Sequence, residues 1–229
     1  MLWIILVLIL LAAIIGPGIW VRHILRKYSE PADRYRQSGS GAELARHLLE
    51  RFGLHEVKVE ETETGDHYDP RDQTVRLSAD NYHGHSLTAV AVATHEVGHA
   101  IQHSRNEALF SLRQRLVKAA VASERIGGLL LIAAPVIMVV SRTPQLGLLS
   151  LLAVVATMAV GTVVHLVTLP GEFDASFNKA RPILEDGNYL REGDLPHARR
   201  ILQAAALTYV AGSLASLLNL GRWIAILRR

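Results

Sequence analysis

The sequence predicts a mainly α, multi-pass membrane protein with about four transmembrane helices and a small cytoplasmic α+β part that contains a β-hairpin. Three observations predict it. Half of the 229 residues are apolar, and they gather in long runs instead of spreading evenly. Lys and Arg border those runs, as they do at the cytoplasmic ends of membrane helices. Between the first two runs the pattern changes from helical periodicity to strict alternation and back.

The first run, LWIILVLILLAAIIGPGIWV (2–21), is long enough to cross a bilayer. No basic residue precedes it, whereas Arg22, His23, Arg26 and Lys27 follow it. A secretory signal peptide has the opposite charge order, so the run reads as an uncleaved anchor with its N-terminus outside. A second span is expected near 117–140 and a third over 146–169, joined by the polar link SRTPQ. A fourth is expected near 203–227, where Gly and Ser suit close helix packing in lipid. This topology places thirteen Lys and Arg of residues 22–116 and five of residues 170–202 inside, against Arg142 alone in the outer loop. Arg228 and Arg229 at the C-terminal end run mildly against it. The expected organisation is therefore an anchor (1–22), a cytoplasmic region (23–116), a membrane helical hairpin (117–169), a second cytoplasmic segment (170–202) and a last membrane helix (203–229). The location is the cell's cytoplasmic membrane, with any active site on the cytoplasmic side.

The chain has no cysteine, which excludes disulfides and thiolate-ligated metal. A net charge of +3 is small, and the basic residues read as topology signals, not as a nucleic-acid footprint. Oligomeric state leaves no mark.

Within the first cytoplasmic region, SGAELARHLLERFG (40–53) has helical periodicity. Ser40 is placed as its cap, Glu43 three residues on and Gly53 at its end. The alternation in VKVE and TVRLS predicts two strands paired as a hairpin across a turn-rich link. HSLTAVAVATHEVGHAIQHS then reads as one long helix. A strand edge beside that helix could hold an extended peptide; it could equally be a plain cover for the helix.

In THEVGHAIQH (94–103), His95 and His99 stand four apart, so both imidazoles project from one helix face toward one tetrahedral ion. Glu96 lies off that face, where an acid/base group for a zinc-activated water would sit. Gly98 keeps the helix thin there. The HExxH pattern alone fits a zinc helix and an ordinary helix alike. His103 continues the series, but three histidines along one straight helix rise over about 12 Å and do not close on one ion. The longer HExxHxxGxxH pattern is excluded by Gln102 and Asn106. Glu172, in LPGEFDASFNKA, returns to the same side of the membrane after spans two and three. It suits a third ligand that leaves an open position, and it also suits a helix-start acid after Pro170.

DHYDP (66–70), VRLS (75–78), AVAVATHEVGHAIQH (89–103), TLPGEFDAS (168–176) and AALTYVA (205–211) together resemble the YugP-like family of bacterial, membrane-bound neutral zinc metallopeptidases. The resemblance runs from about residue 24 to 220. It implies a membrane-embedded zincin binding one zinc ion through His95, His99 and Glu172, with Glu96 as catalytic acid/base. Its substrates would be membrane or membrane-proximal proteins, its other partner the lipid bilayer. The family is similar to HtpX-like and CAAX-prenyl proteases, whose third-ligand segment reads ExxAD, with the Asp supporting a ligand histidine. Here that position is Ser176, with Asp174 nearby, so either is a candidate to hold a histidine N–H. Tyr68, His67 and Tyr209 are candidate oxyanion donors. His165, inside span three, is a candidate by virtue of being ionisable at membrane depth; its plainer role is to reach the interface. Glu124 and Arg125 mark a polar face early in span two. The competing function is a non-catalytic zinc-binding adaptor or assembly factor, which would have no use for Glu96. A metal transporter is a third reading, with too few intramembrane polar groups for a path.

Overall fold

A computed structural model describes residues 2–217, which fold into eight α-helices, one π-helical stretch and three short strands. Helix α1 (Leu2–Tyr28), α5 (Ala108–Ser141) and α6 (Pro144–Phe173) carry the long apolar runs. Among the described residues, the three stretches long and apolar enough to cross a membrane are Trp3–Tyr28, Ala108–Val140 and Gln145–Asp186. Of the expected fourth span, α8 (Leu195–Leu217) covers the first part, and 218–229 lies outside the described residues.

The helix carrying span three does not break where the sequence suggested. Pro170 lies inside α6 instead of starting a new helix, and the chain continues through a π-helical stretch (Asp174–Ala180) into α7 (Arg181–Asp186). A proline removes one backbone donor and crowds one carbonyl, and a helix already running upstream can absorb that locally. The winding widens to π four residues later.

The chain divides into two compact units. One holds the chain up to Ile15, Leu112–Thr168 and the chain from Tyr209 on. In it Gly127 lies so close to the Thr157 side chain that no Cβ would fit, the small-residue packing that membrane helices use. His165 stacks on Tyr209 with ring centroids 5.6 Å apart, and the Arg113 guanidinium lies 5.1 Å from the Tyr209 ring centre.

The other unit, Gly16–Ser111 with Leu169–Thr208, is built around α4 (Leu87–Ser104). Ser86 caps α4 by accepting from the Ala89 N–H, and every residue from Leu87 to Gln102 is buried. A helix covered on all sides is a core element, and it fixes any side chain it carries. Helix α2 (Gly41–Arg51) packs on it. Here the predicted boundaries hold: Ser40 and Glu43 form a reciprocal capping box, and Gly53 turns the chain at φ +71°.

The sheet corrects one expectation. Strands β1 (Lys58–Thr62) and β3 (Thr74–Ser78) are neighbours, but they run parallel. The hairpin is formed instead by β2 (His67–Asp69), which lies in the supposed turn region and pairs antiparallel with β3. Alternation marks a strand without giving its direction, and a link as long as 63–73 lets the chain cross over and return. Val75 and Leu77 of β3 and Tyr68 of β2 are buried in this unit, whereas β1 is an exposed edge. A short α3 (Ala79–Tyr82) connects the sheet to α4.

Candidate metal centre

Helix α4 presents His95 and His99 on one face, and the end of α6 brings Glu172 against them. Their relative exposures are 2%, 1% and 2%, so the three polar side chains lie in the interior. Glu172 Oε2 is 3.1 Å from His99 Nε2 and 3.6 Å from His95 Nε2. One ligand atom from each lies within 4.8 Å of the other two.

The hydrogen bonds around the two rings fix their tautomers. Ser176 Oγ donates its one proton to the Leu202 carbonyl at 2.8 Å, so toward His95 Nδ1, 2.9 Å away, it acts as acceptor. Gln102 spends both amide protons, on the Gly171 carbonyl at 3.0 Å and on Asp174 Oδ2 at 2.8 Å. Its Oε1 therefore accepts from His99 Nδ1 at 2.9 Å. In the neutral form each imidazole then carries its proton on Nδ1 and faces Glu172 with the Nε2 lone pair. Two lone pairs and a carboxylate oxygen converge in a buried space, and a cation satisfies all three. Nitrogen and carboxylate donors without thiolate suit zinc, and both histidines have the outer hydrogen bond that zinc-binding histidines use. The residues fit the metal.

The sequence of the whole chain agrees with this reading of the site. Residues 2–228 match the family described as "Putative neutral zinc metallopeptidase". The chain belongs to that family. It is also 33% identical, over 219 residues and 93% of each chain, to a Bacillus subtilis (strain 168) protein named "Putative membrane protease YugP". No solved structure matches. Family membership and the three apolar helices mark the chain as a metallopeptidase relative of a membrane protein.

Within this family member, both candidates for holding a histidine N–H lie at the site, by different routes. Ser176 touches His95 directly. Asp174 reaches His99 only through Gln102, and is itself held by Asn178 Nδ2 at 2.8 Å and Lys179 Nζ at 3.3 Å. Lys179 also bonds Glu107, at 2.9 Å. Gln102 is the residue that sequence reasoning missed. It had served only to exclude a longer motif, yet its place three residues after His99 puts it on the same side of α4.

Glu172 and Ser176 stand four residues apart, a spacing that puts both on one side of their helix. Glu172 and Ser176 both face α4, and the backbone comes so near that a Cβ on Gly98 would sit 2.8 Å from the Ala175 carbonyl oxygen. That approach is what a glycine at 98 permits. Gly171, by contrast, has room: a Cβ there would meet Leu109 at an ordinary 3.7 Å.

Glu96, next to His95 in the sequence of α4, is also buried. Tyr68 Oη lies 2.8 Å from His103 Nδ1, and Phe110 packs against His99, His103 and Tyr68, with ring centroids 6.3, 5.2 and 6.2 Å away. Burial first, and then Asp69 and Asp72, push the Tyr68 phenol up to about 12, so it keeps its proton at neutral pH. His67 is turned the other way, as neighbours on a strand are, and its Nδ1 bonds the Gly65 carbonyl at 2.8 Å. His103 stands one turn past His99, in the Tyr68 contact and not among the converging ligands. His165 and Tyr209 belong to the other unit, in the ring stack described above.

Proposed function

We propose that this protein is a membrane-embedded zinc endopeptidase that hydrolyses peptide bonds of membrane or membrane-proximal proteins. His95, His99 and Glu172 are its metal ligands and Glu96 its general base. The observation that carries the reading is the convergence of two imidazoles held through Nδ1 and one buried carboxylate, with Glu96 buried next in sequence to His95.

Bound zinc would supply Lewis acidity to the scissile carbonyl and lower the pKa of the attacking water. Glu96 would serve as the base that takes a proton from the attacking water and passes it to the leaving amine. Gln102 and Ser176 hold the imidazoles so that both Nε2 atoms stay aimed at the ion. Tyr68, protonated at working pH, is the candidate donor for the developing oxyanion.

Metal analysis of the detergent-purified protein tests the ligands. The parent carries one zinc per chain, and Glu172→Ala loses or strongly weakens it; equal zinc in both removes Glu172 from the set. Glu96→Gln keeps the zinc and loses cleavage of a membrane-protein substrate. A variant that cleaves like the parent refutes the assignment, and a parent with zinc but no hydrolysis of any substrate favours an adaptor role.

The proposed location is the cytoplasmic membrane with this centre on the cytoplasmic side, as the Lys and Arg distribution supports. The chain has no native cysteine, so Glu56→Cys gives a single label site. In intact cells that thiol resists an impermeant maleimide; ready labelling puts the site outside.

A further inference from the structure

Away from the metal centre, a groove of about 740 Å³ opens between the last turns of α1 and the β3–α3 connection. Arg22, Arg26 and Ile19 line its α1 side, and Asp80 lies across from them. All four are exposed, and Arg22, Arg26 and Asp80 enter no ion pair among the described residues.

Three of the polar groups in its wall are already committed. Thr88 Oγ1 donates to the Leu25 carbonyl at 2.9 Å and ties α4 to α1. Ser78 Oγ and Asn81 Nδ2 both donate to Asp66, at 3.0 and 2.8 Å. The charged groups that face a ligand are the two guanidinium groups and the one carboxylate, with the exposed His23 imidazole also in the lining. The groove also sits at a defined level of α1. Arg22 bends back over Gly18, its Nη1 only 3.6 Å from where a Cβ would be. This brings the charge level with the end of the apolar run, beside exposed Ile19. Cationic heads at such a boundary meet lipid phosphates.

We propose that this groove binds one phospholipid bearing a phosphoethanolamine head group. The phosphate faces Arg22 and Arg26, which match its oxygens as paired N–H donors, and the primary ammonium faces Asp80. Ile19 meets the start of the acyl chains. A phosphocholine head has no N–H to give Asp80, and a phosphoglycerol head brings no cation to it. The inference rests on α1 entering the bilayer and is independent of zinc and of peptide hydrolysis.

Native mass spectrometry of the full-length protein tests it, with phosphatidylethanolamine, phosphatidylglycerol and phosphatidylcholine of matched chains in the same detergent. The parent retains one phosphatidylethanolamine in preference to the other two. The double variant R22Q/R26Q binds it about twenty-five-fold more weakly, from about fivefold for each basic group at a lipid phosphate. R22K/R26K, which keeps the charges but not the paired donors, binds more tightly than R22Q/R26Q and shows that the glutamine variant's loss comes from charge and not from misfolding. D80N keeps the phosphate contact and loses the preference over phosphatidylcholine. Undiminished binding in R22Q/R26Q overturns the site, and a parent that holds phosphatidylcholine as tightly overturns the ammonium contact. Displacement of the lipid by millimolar inorganic phosphate makes the ligand a free anion and overturns the lipid assignment.

Discussion

Replacing Gln102 by Leu removes a branch point at the heart of the site while keeping its approximate shape. The side chain makes three buried hydrogen bonds: it accepts from His99 Nδ1 at 2.9 Å and donates to the Gly171 carbonyl at 3.0 Å and to Asp174 at 2.8 Å. With Leu, the His99 N–H has no acceptor, the imidazole loses its fixed tautomer and its Nε2 is no longer held on the ligand axis. Removing a group that orients a metal-binding histidine weakens metal affinity about 10–100-fold, or about 1.4–2.7 kcal/mol. Each buried partner left unsatisfied also costs about 1–3 kcal/mol of stability. The assay is a zinc competition titration against a chromophoric chelator, with circular dichroism to show that the variant is folded. Asp174→Asn and Asn178→Ala give the internal scale, because they act one and two hydrogen bonds further from the ring. Zinc affinity should fall most for Gln102→Leu, less for Asp174→Asn and least for Asn178→Ala. A folded Gln102→Leu protein with parental zinc affinity would refute the claim that Gln102 orients His99.

Ser176→Ala strips the acceptor from His95 Nδ1 and the donor from the Leu202 carbonyl, so zinc affinity falls by at least about tenfold in the same titration. Gly98→Ala destabilises the protein by about 1–3 kcal/mol in a thermal melt, because overpacking against the Ala175 carbonyl outweighs the helix propensity that Ala adds. Asp194 is buried, which pushes its carboxyl up, but hydrogen bonds from Arg34 and Tyr35 and the Arg34 charge prevail and hold it below the usual range. A carboxylate depressed in the folded state contributes stability that is complete above its unfolded pKa of about 3.9 and is lost as pH falls through the lower folded value. Asp194→Asn therefore costs about 1–2 kcal/mol at neutral pH, since the Arg34 left behind is partly solvated, and flattens the loss of stability below about pH 4, as chemical denaturation across that range would show.

Much of this site could be read from the residues, for identifiable reasons. The capping box of α2 is a local signal, since Ser40 and Glu43 act within one turn. His95 and His99 declare their shared face through spacing alone. Glu172 needed one long-range step, the count of membrane crossings that returns the chain to the same side. What escaped is tertiary. Gln102 is unremarkable until Asp174 and Gly171 arrive beside it from another helix. The π winding at Asp174–Ala180 has no compositional signature; the shared direction of Glu172 and Ser176, four residues apart, was legible from spacing alone. Pro170 reads as a helix start because local rules cannot see that α6 is already established upstream. The β1–β3 pair reads as a hairpin because alternation is the same in either direction.

His99 and its partner Glu172 are 73 residues apart, and the chain between them is mostly α5 and α6. At about 5–20 residues per second, a ribosome needs about 4–15 s to travel from one to the other. During that interval α4 has been made with both histidines in place and no carboxylate opposite them. The cradle closes only after both apolar helices of the intervening hairpin have been synthesised. Completion of the candidate metal-binding triple is thus a late event in the life of the nascent chain, timed by the apolar helices that separate its parts.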